Sequence, residues 1–93
     1  TGIGNHIDMS PDTAWFVTDS IYHSDPVTVD LYRRGRGDRV ATLDRHSLTR
    51  PVWGLRAHAN PVFSRDGRRV YFVQAWDEMR VRAVVVDISS YLD

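Results

Sequence analysis

Histidine, arginine and tyrosine carry the acid–base and anion chemistry open to this chain. It has no cysteine, and all 12 of its Lys-or-Arg positions are Arg. Arg56 stands two positions before His58, so on a strand the two side chains would share a face. A guanidinium there could clamp a carboxylate through two parallel hydrogen bonds. Tyr22 and His23 fall in a segment that reads as a loop, where function is often carried on a rigid scaffold. Tyr22 is a candidate general acid or base there. Arg33, Arg34, Arg36 and Arg39 surround a glycine-rich hairpin, either as a solvated turn or as a patch for an anionic partner. Trp53 and Trp76 lie in loops and could stack on a sugar ring or pack between elements; Trp15 reads as core. Asn60 precedes Pro61, as a turn-capping residue does, and His23 and His46 read as solvated. Disulfides, thiolate zinc sites and cysteine nucleophiles are excluded. No Ser-His-Asp spacing, phosphate loop or His-Glu-x-x-His motif is present.

The elements that must position these residues are strands. Only Glu78 among the 12 acids is not Asp, valine is abundant, and helix formers other than Arg are scarce. Strand patterns are predicted at 6–10, 14–21, 27–34, 39–43, 60–64, 68–75 and 81–88, with turn residues between them. In 27–34 the alternation puts Val27, Val29 and Leu31 on one side and Thr28, Asp30 and Tyr32 on the other. In 14–21 both faces carry large apolar residues, Trp15 and Val17 against Phe16, so the pattern leaves the packed face open. Asp44 to Leu55 reads mostly as loop.

The pattern repeats. A shift of 54 positions lays Ser10 on Ser64, Asp12 on Asp66, Phe16 on Val70, Val27 on Val81 and Leu31 on Val85 without a gap. Asp66 and Gly67 form a turn in which Asp bonds backbone amides and Gly supplies positive φ. Thr13 occupies the glycine's place in the first copy, which predicts a looser or more strained turn. Strand repeats of this period are the mark of β-propeller blades. The chain is therefore expected to be all-β: about two four-stranded antiparallel blades, a fragment of a seven-bladed ring. The division is blade 1–46, linker 47–57 and blade 58–93. A self-standing small antiparallel sandwich of the same strands is the alternative. Ninety-three residues bury only about 60–65% of the surface exposed when unfolded, so without a disulfide such a chain must either pack tightly or lean on neighbours.

The segments His6-Ile7-Asp8-Met9-Ser10-Pro11-Asp12 and Asn60-Pro61-Val62-Phe63-Ser64-Arg65-Asp66-Gly67 resemble the His-Pro-x-Phe-Ser-Pro-Asp-Gly repeat. That repeat belongs to TolB-like propellers and to the oligogalacturonate lyases, which share the architecture. Trp15-Phe16-Val17-Thr18-Asp19-Ser20 is similar to the Trp-x-Val-x-Asp-Thr stretch of lyase-like propellers. His58-Ala59-Asn60-Pro61 resembles their His-Pro-His-Pro run, and Val84 to Ser89 resembles their last strand. Lyases of this family cleave short uronate chains by β-elimination, using a divalent metal, typically manganese, held by histidines and a glutamine.

Carried over position by position, the resemblance makes His6 and His58 metal ligands and Asn60 an auxiliary oxygen donor where a second histidine would stand. Leu55 replaces the family's glutamine three positions before His58, so the ligand set is poorer. Arg56 would then contact the uronate carboxylate and Tyr22 would serve proton transfer. His6 also has a structural reading, since the histidine of such repeats often fixes the start of a strand.

Two functions are thus expected. One is the C-terminal part of a metal-assisted lyase acting on acidic oligosaccharides, as in pectin degradation. The other is a non-catalytic TolB-like segment, a scaffold for protein or glycan contacts or for neighbouring blades. The lyase reading predicts that His6, His58 and Asn60 converge. Formal net charge is zero, which argues against non-specific nucleic-acid and polybasic membrane binding. The longest apolar stretch, Ala83 to Val86, is far short of the ~20 residues a membrane helix needs. The compartment stays open, with the cytoplasm preferred.

Overall fold

The computed structural model describes residues 6–19, 26–46, 59–75 and 80–92. They form two antiparallel sheets, and the described residues contain no α-helix. The first sheet has four strands in chain order: β1 (Ile7–Met9), β2 (Trp15–Asp19), β3 (Val27–Arg33) and β4 (Arg39–His46). The second has three: β5 (Val62–Phe63), β6 (Arg69–Ala75) and β7 (Val81–Asp87), followed by a 3₁₀ turn at Ser89–Tyr91. The all-β expectation holds. The count differs in the second sheet, where three strands rather than four are present among the described residues. No described helix is long and apolar enough to cross a membrane.

The two repeat copies fold alike, bond for bond. In the first copy the Ser10 amide donates to the Trp15 carbonyl at 2.9 Å and the Thr13 amide to the Ser10 carbonyl at 2.8 Å. In the second, the Ser64 amide donates to the Arg69 carbonyl at 2.8 Å and the Gly67 amide to the Ser64 carbonyl at 3.0 Å. The Ser10 hydroxyl donates to Asp12 Oδ1 and the Ser64 hydroxyl to Asp66 Oδ1, both at 2.6 Å. Each serine oxygen accepts from the first amide of the next strand, Trp15 or Arg69, at 3.0 Å. Thr13 has φ 62° where Gly67 has φ 73°. The first turn is therefore as tight as the second and carries the strain, on the order of 1–2 kcal/mol for a residue with a Cβ. Arg34 Nη1 donates to Thr13 Oγ1 at 3.0 Å and helps hold it.

One hydrophobic core joins the sheets. Trp15, Val17, Val27, Val29 and Leu31 supply it from the first sheet, and Val70, Phe72, Ala59 and Ile88 from the second region. Leu43, Phe63, Val84 and Val86 pack against it half-buried. Alternation then assigns the faces. The face of the first sheet carrying Trp15, Val17 and Leu31 meets the face of the second carrying Val70, Phe72 and Val86. Phe16 points away and stacks on Tyr32, ring centroids 5.0 Å apart and nearly parallel. Full burial of Leu31, Val17, Val29 and Val70 contributes about 1.5–3 kcal/mol each.

Strand β4 runs three residues past the expected end at Leu43. Its pairing with β3 slips twice, between Val29 and Asp30 and between Leu31 and Tyr32, leaving Leu43 and Val40 as extra residues. The bulge at Leu43 resets the alternation. Asp44 pairs with Val29 and His46 with Val27, which puts both on the core-facing side.

Candidate functional site

Asp19 ends β2 with its side chain buried against the second sheet, where a carboxylate must be fully hydrogen-bonded to be tolerated. It is. The His6 amide donates to Oδ1 at 2.9 Å, His6 Nδ1 donates to Oδ2 at 2.7 Å, and the Asn60 amide donates to Oδ2 at 3.2 Å. A carboxylate can only accept, so this bond places a ring proton on Nδ1. Asn60 has φ 50°, a left-handed conformation that Asn tolerates better than most residues. Its contact to Asp19 is through the backbone amide, not the side chain.

His6 and Asn60 occupy equivalent repeat positions, 54 apart. One carboxylate therefore gathers the start of both sheets. The second copy has Val73 where the first has Asp19, so the knot is made once. Asp8 adds a parallel tie, its Oδ2 accepting the Phe63 amide at 2.8 Å.

A second polar group crosses between the sheets at their far side. His46 Nδ1 donates to Asp44 Oδ2 at 2.6 Å. Asp44 Oδ1 accepts from Gln74 Nε2 at 3.0 Å, and Gln74 Oε1 accepts from Arg82 Nε at 2.7 Å. The His46 side chain is only 11% exposed, which corrects the expectation of a solvated histidine. Its Nε2 is buried with no hydrogen-bond partner among the described residues, and a buried ring nitrogen left so costs about 1–3 kcal/mol. Chemically this is a carboxylate-oriented imidazole, but burial closes Nε2 off from solvent. Its role here is to pin β4 to β6 and β7. The signal for it was hidden in the bulge at Leu43, which no residue pattern in 39–46 marks.

Of the candidate site residues, the structure brings His6 and Asn60 together on Asp19. His58, Arg56 and Tyr22 lie outside the described residues, as do Trp53, Trp76 and His23. Asp19 and Asp44 were not among the candidates. Asp19 was legible as part of the Trp15-to-Ser20 stretch and, by alternation, as sharing a strand face with Trp15 and Val17. The described residues hold no group of three His, Asp or Glu side chains placed to share a metal ion.

Asp12, Asp66 and Asp87 are the carboxyls held below their ordinary range. The Ser10 hydroxyl and Ala14 amide hold Asp12, the Ser64 hydroxyl and Arg68 amide hold Asp66, and the Ser89 amide and hydroxyl hold Asp87. All three face solvent, Asp12 and Asp66 in turns and Asp87 at the end of β7, so their bonds set local backbone geometry rather than a reactive centre.

No family model matches this chain, no curated protein matches it, and no solved structure matches its fold.

Proposed function

We propose that the chain is a pair of propeller-type blades that works as a non-catalytic binding scaffold. One observation carries this reading. Both of the described metal candidates, His6 and Asn60, meet on Asp19, His6 through Nδ1 and Asn60 through its backbone amide, so the carboxylate ties the starts of two sheets together. That is a structural knot joining two sheets. The bare apolar face of the second sheet favours protein contacts over glycan contacts, since sugar sites need polar groups among their apolar ones. The blade reading is supported by the matched turns and by the 54-residue offset of the two sheets.

The competing reading is metal-assisted β-elimination on an acidic oligosaccharide, with manganese on His6, His58 and Asn60. It requires Arg56 on the uronate carboxylate and Tyr22 in proton transfer. The described donors do not by themselves make a manganese site: no three His, Asp or Glu side chains gather among the described residues, and Asn60 is a weak donor.

The test is a manganese titration by calorimetry, paired with an ultraviolet and mass assay for unsaturated ends on oligogalacturonate. The scaffold reading expects no stoichiometric heat and no product. Metal-dependent product that disappears in His58→Ala would overturn it and put the site on the segment around His58.

A further inference from the structure

A free sheet edge offers its backbone donors and acceptors to any extended chain, so proteins blunt their edges with short strands, bulges and charges. Among the described residues the two sheets have four edges: β1, β4, β5 and β7. β1 is three residues long and β5 two. β4 is bulged twice against β3 and carries Arg39, Asp44 and Arg45. β7 is different. It pairs with β6 over all seven of its residues without a slip, and its charges stand only toward its ends, at Arg82 and Asp87.

The first sheet shows what such an edge takes. β3 and β7 occupy equivalent positions, 54 apart, and pair with their inner neighbours in the same phase. The Arg34 amide donates to the Ala14 carbonyl and the Ile88 amide to the Arg68 carbonyl, both at 2.8 Å. Hydrogen-bonded pairs alternate along an antiparallel ladder. Asp30 and Tyr32 therefore bond inward to β2, while Val27, Val29 and Leu31 turn their amides and carbonyls toward His46, Asp44 and Ala41 of β4. By the same phase Arg82, Val84 and Val86 bond inward to β6. Val81, Ala83 and Val85 turn theirs away from it, to a side where no described strand lies. β3 is mostly buried and β7 mostly exposed, as one missing strand would leave them.

We propose that the free edge of β7 binds an extended segment of a partner protein, which adds to the sheet as a fourth, antiparallel strand. The inference rests on the scaffold reading and names the partner's chemistry. β4 is the template: apolar or β-branched at its centre, Val40 to Leu43, and charged at both ends. Backbone bonds to Val81, Ala83 and Val85 supply the affinity. Alternate side chains of the added strand extend the row through Tyr71 and Val85 on one face and the row through Phe72 and Val84 on the other. Proline is excluded opposite Ala83 and Val85, because it has no amide to donate.

The experiment is amide hydrogen exchange by nuclear magnetic resonance on the full chain, with a synthetic peptide of the β4 sequence, Arg39 to His46, added up to millimolar concentration. Exchange at Val81, Ala83 and Val85 should slow about tenfold or more at saturating peptide. Exchange at Arg82, Val84 and Val86, already bonded to β6, should change little. The same peptide with Thr42→Pro should protect none of them. Ala83→Pro in the chain should abolish the effect while circular dichroism shows the fold intact, since the amide it removes bonds nothing within the sheet. Val85→Pro replaces it should that variant misfold. No protection, or protection spread evenly along β7, would overturn the inference and leave the scaffold reading standing. Protection of the same three amides that grows with protein concentration in the absence of peptide would also overturn it, since the occupant would then be a second copy of this chain. Manganese-dependent cleavage of oligogalacturonate would instead count against the scaffold reading.

Discussion

Two regions of this molecule have the same backbone and opposite surroundings. Residues 7–33 and 61–87 share strand order, turn hydrogen bonds and face assignment at an offset of 54. Yet Leu31 is fully buried while its equivalent Val85 is half exposed, and Ile7 is exposed while its equivalent Pro61 is buried. Burial here depends on which neighbour a sheet has, not on what the sheet is made of. The same contrast appears among polar groups. Asp8 and Asp19 stand on the covered face and tie the sheets together, whereas Val62 and Val73 stand at the same positions on the outward face of the second sheet.

The contrast is broken most strongly by truncating matched positions. Leu31→Ala should cost about 2–5 kcal/mol of unfolding free energy, from lost transfer energy and the cavity left behind. Val85→Ala should change it by about 0.5 kcal/mol or less at concentrations where the chain is monomeric. Urea unfolding of both variants decides the matter, and equal losses would mean that the outer face is covered within the monomer.

Next in size is the Asp19 knot. Asp19→Ala strands the His6 and Asn60 amides and the His6 ring, and should cost about 3 kcal/mol. Nuclear magnetic resonance of the amides should show His6 and Asn60 losing exchange protection together, although they lie in different sheets. Loss at His6 alone would show that the knot does not join the sheets.

The turns sharpen the comparison on a smaller scale. Gly67→Thr gives the second turn the first turn's strain and should destabilise by about 1–2 kcal/mol. A Cβ there also meets Pro11 Cδ at 3.4 Å, a contact with little slack. Thr13→Gly relieves the strain but adds chain entropy and removes the Arg34 bond, so its net effect should be within about 1 kcal/mol of zero. Thermal melts of the pair should therefore be asymmetric, with Gly67→Thr melting lower.

The smallest effect expected is electrostatic. Asp12, Asp66 and Asp87 have folded values below their unfolded ones, so their contribution is present above the ordinary carboxylate range. It is lost as pH falls through the lowered values. Urea midpoints of wild type and of Asp66→Asn should converge between neutral pH and about pH 2. A constant gap across that range would show that the turn acts through shape alone.

Much of the fold was legible in the residues. Each of the seven strand patterns met a strand, because β-branched runs bounded by Pro, Asp and Gly leave the backbone few other choices. The turn pair was legible too, down to the strain at Thr13. The site was less so. His6 and Asn60 stood out by type, but their meeting point Asp19 did not, since alternation places an acid on one face of a strand without saying what will lie over that face. His46 was misread as solvated because a bulge shifts side chains between faces without changing composition.

By itself the sequence determined the alternation of strands and turns, the repeat, and which residues could share a face. It left the core face of β2 undecided, because Trp15 and Val17 on one side and Phe16 on the other are equally apolar. Tertiary structure made that choice. Apolar burial is non-directional, so a strand with two suitable faces is oriented only by the sheet that packs against it.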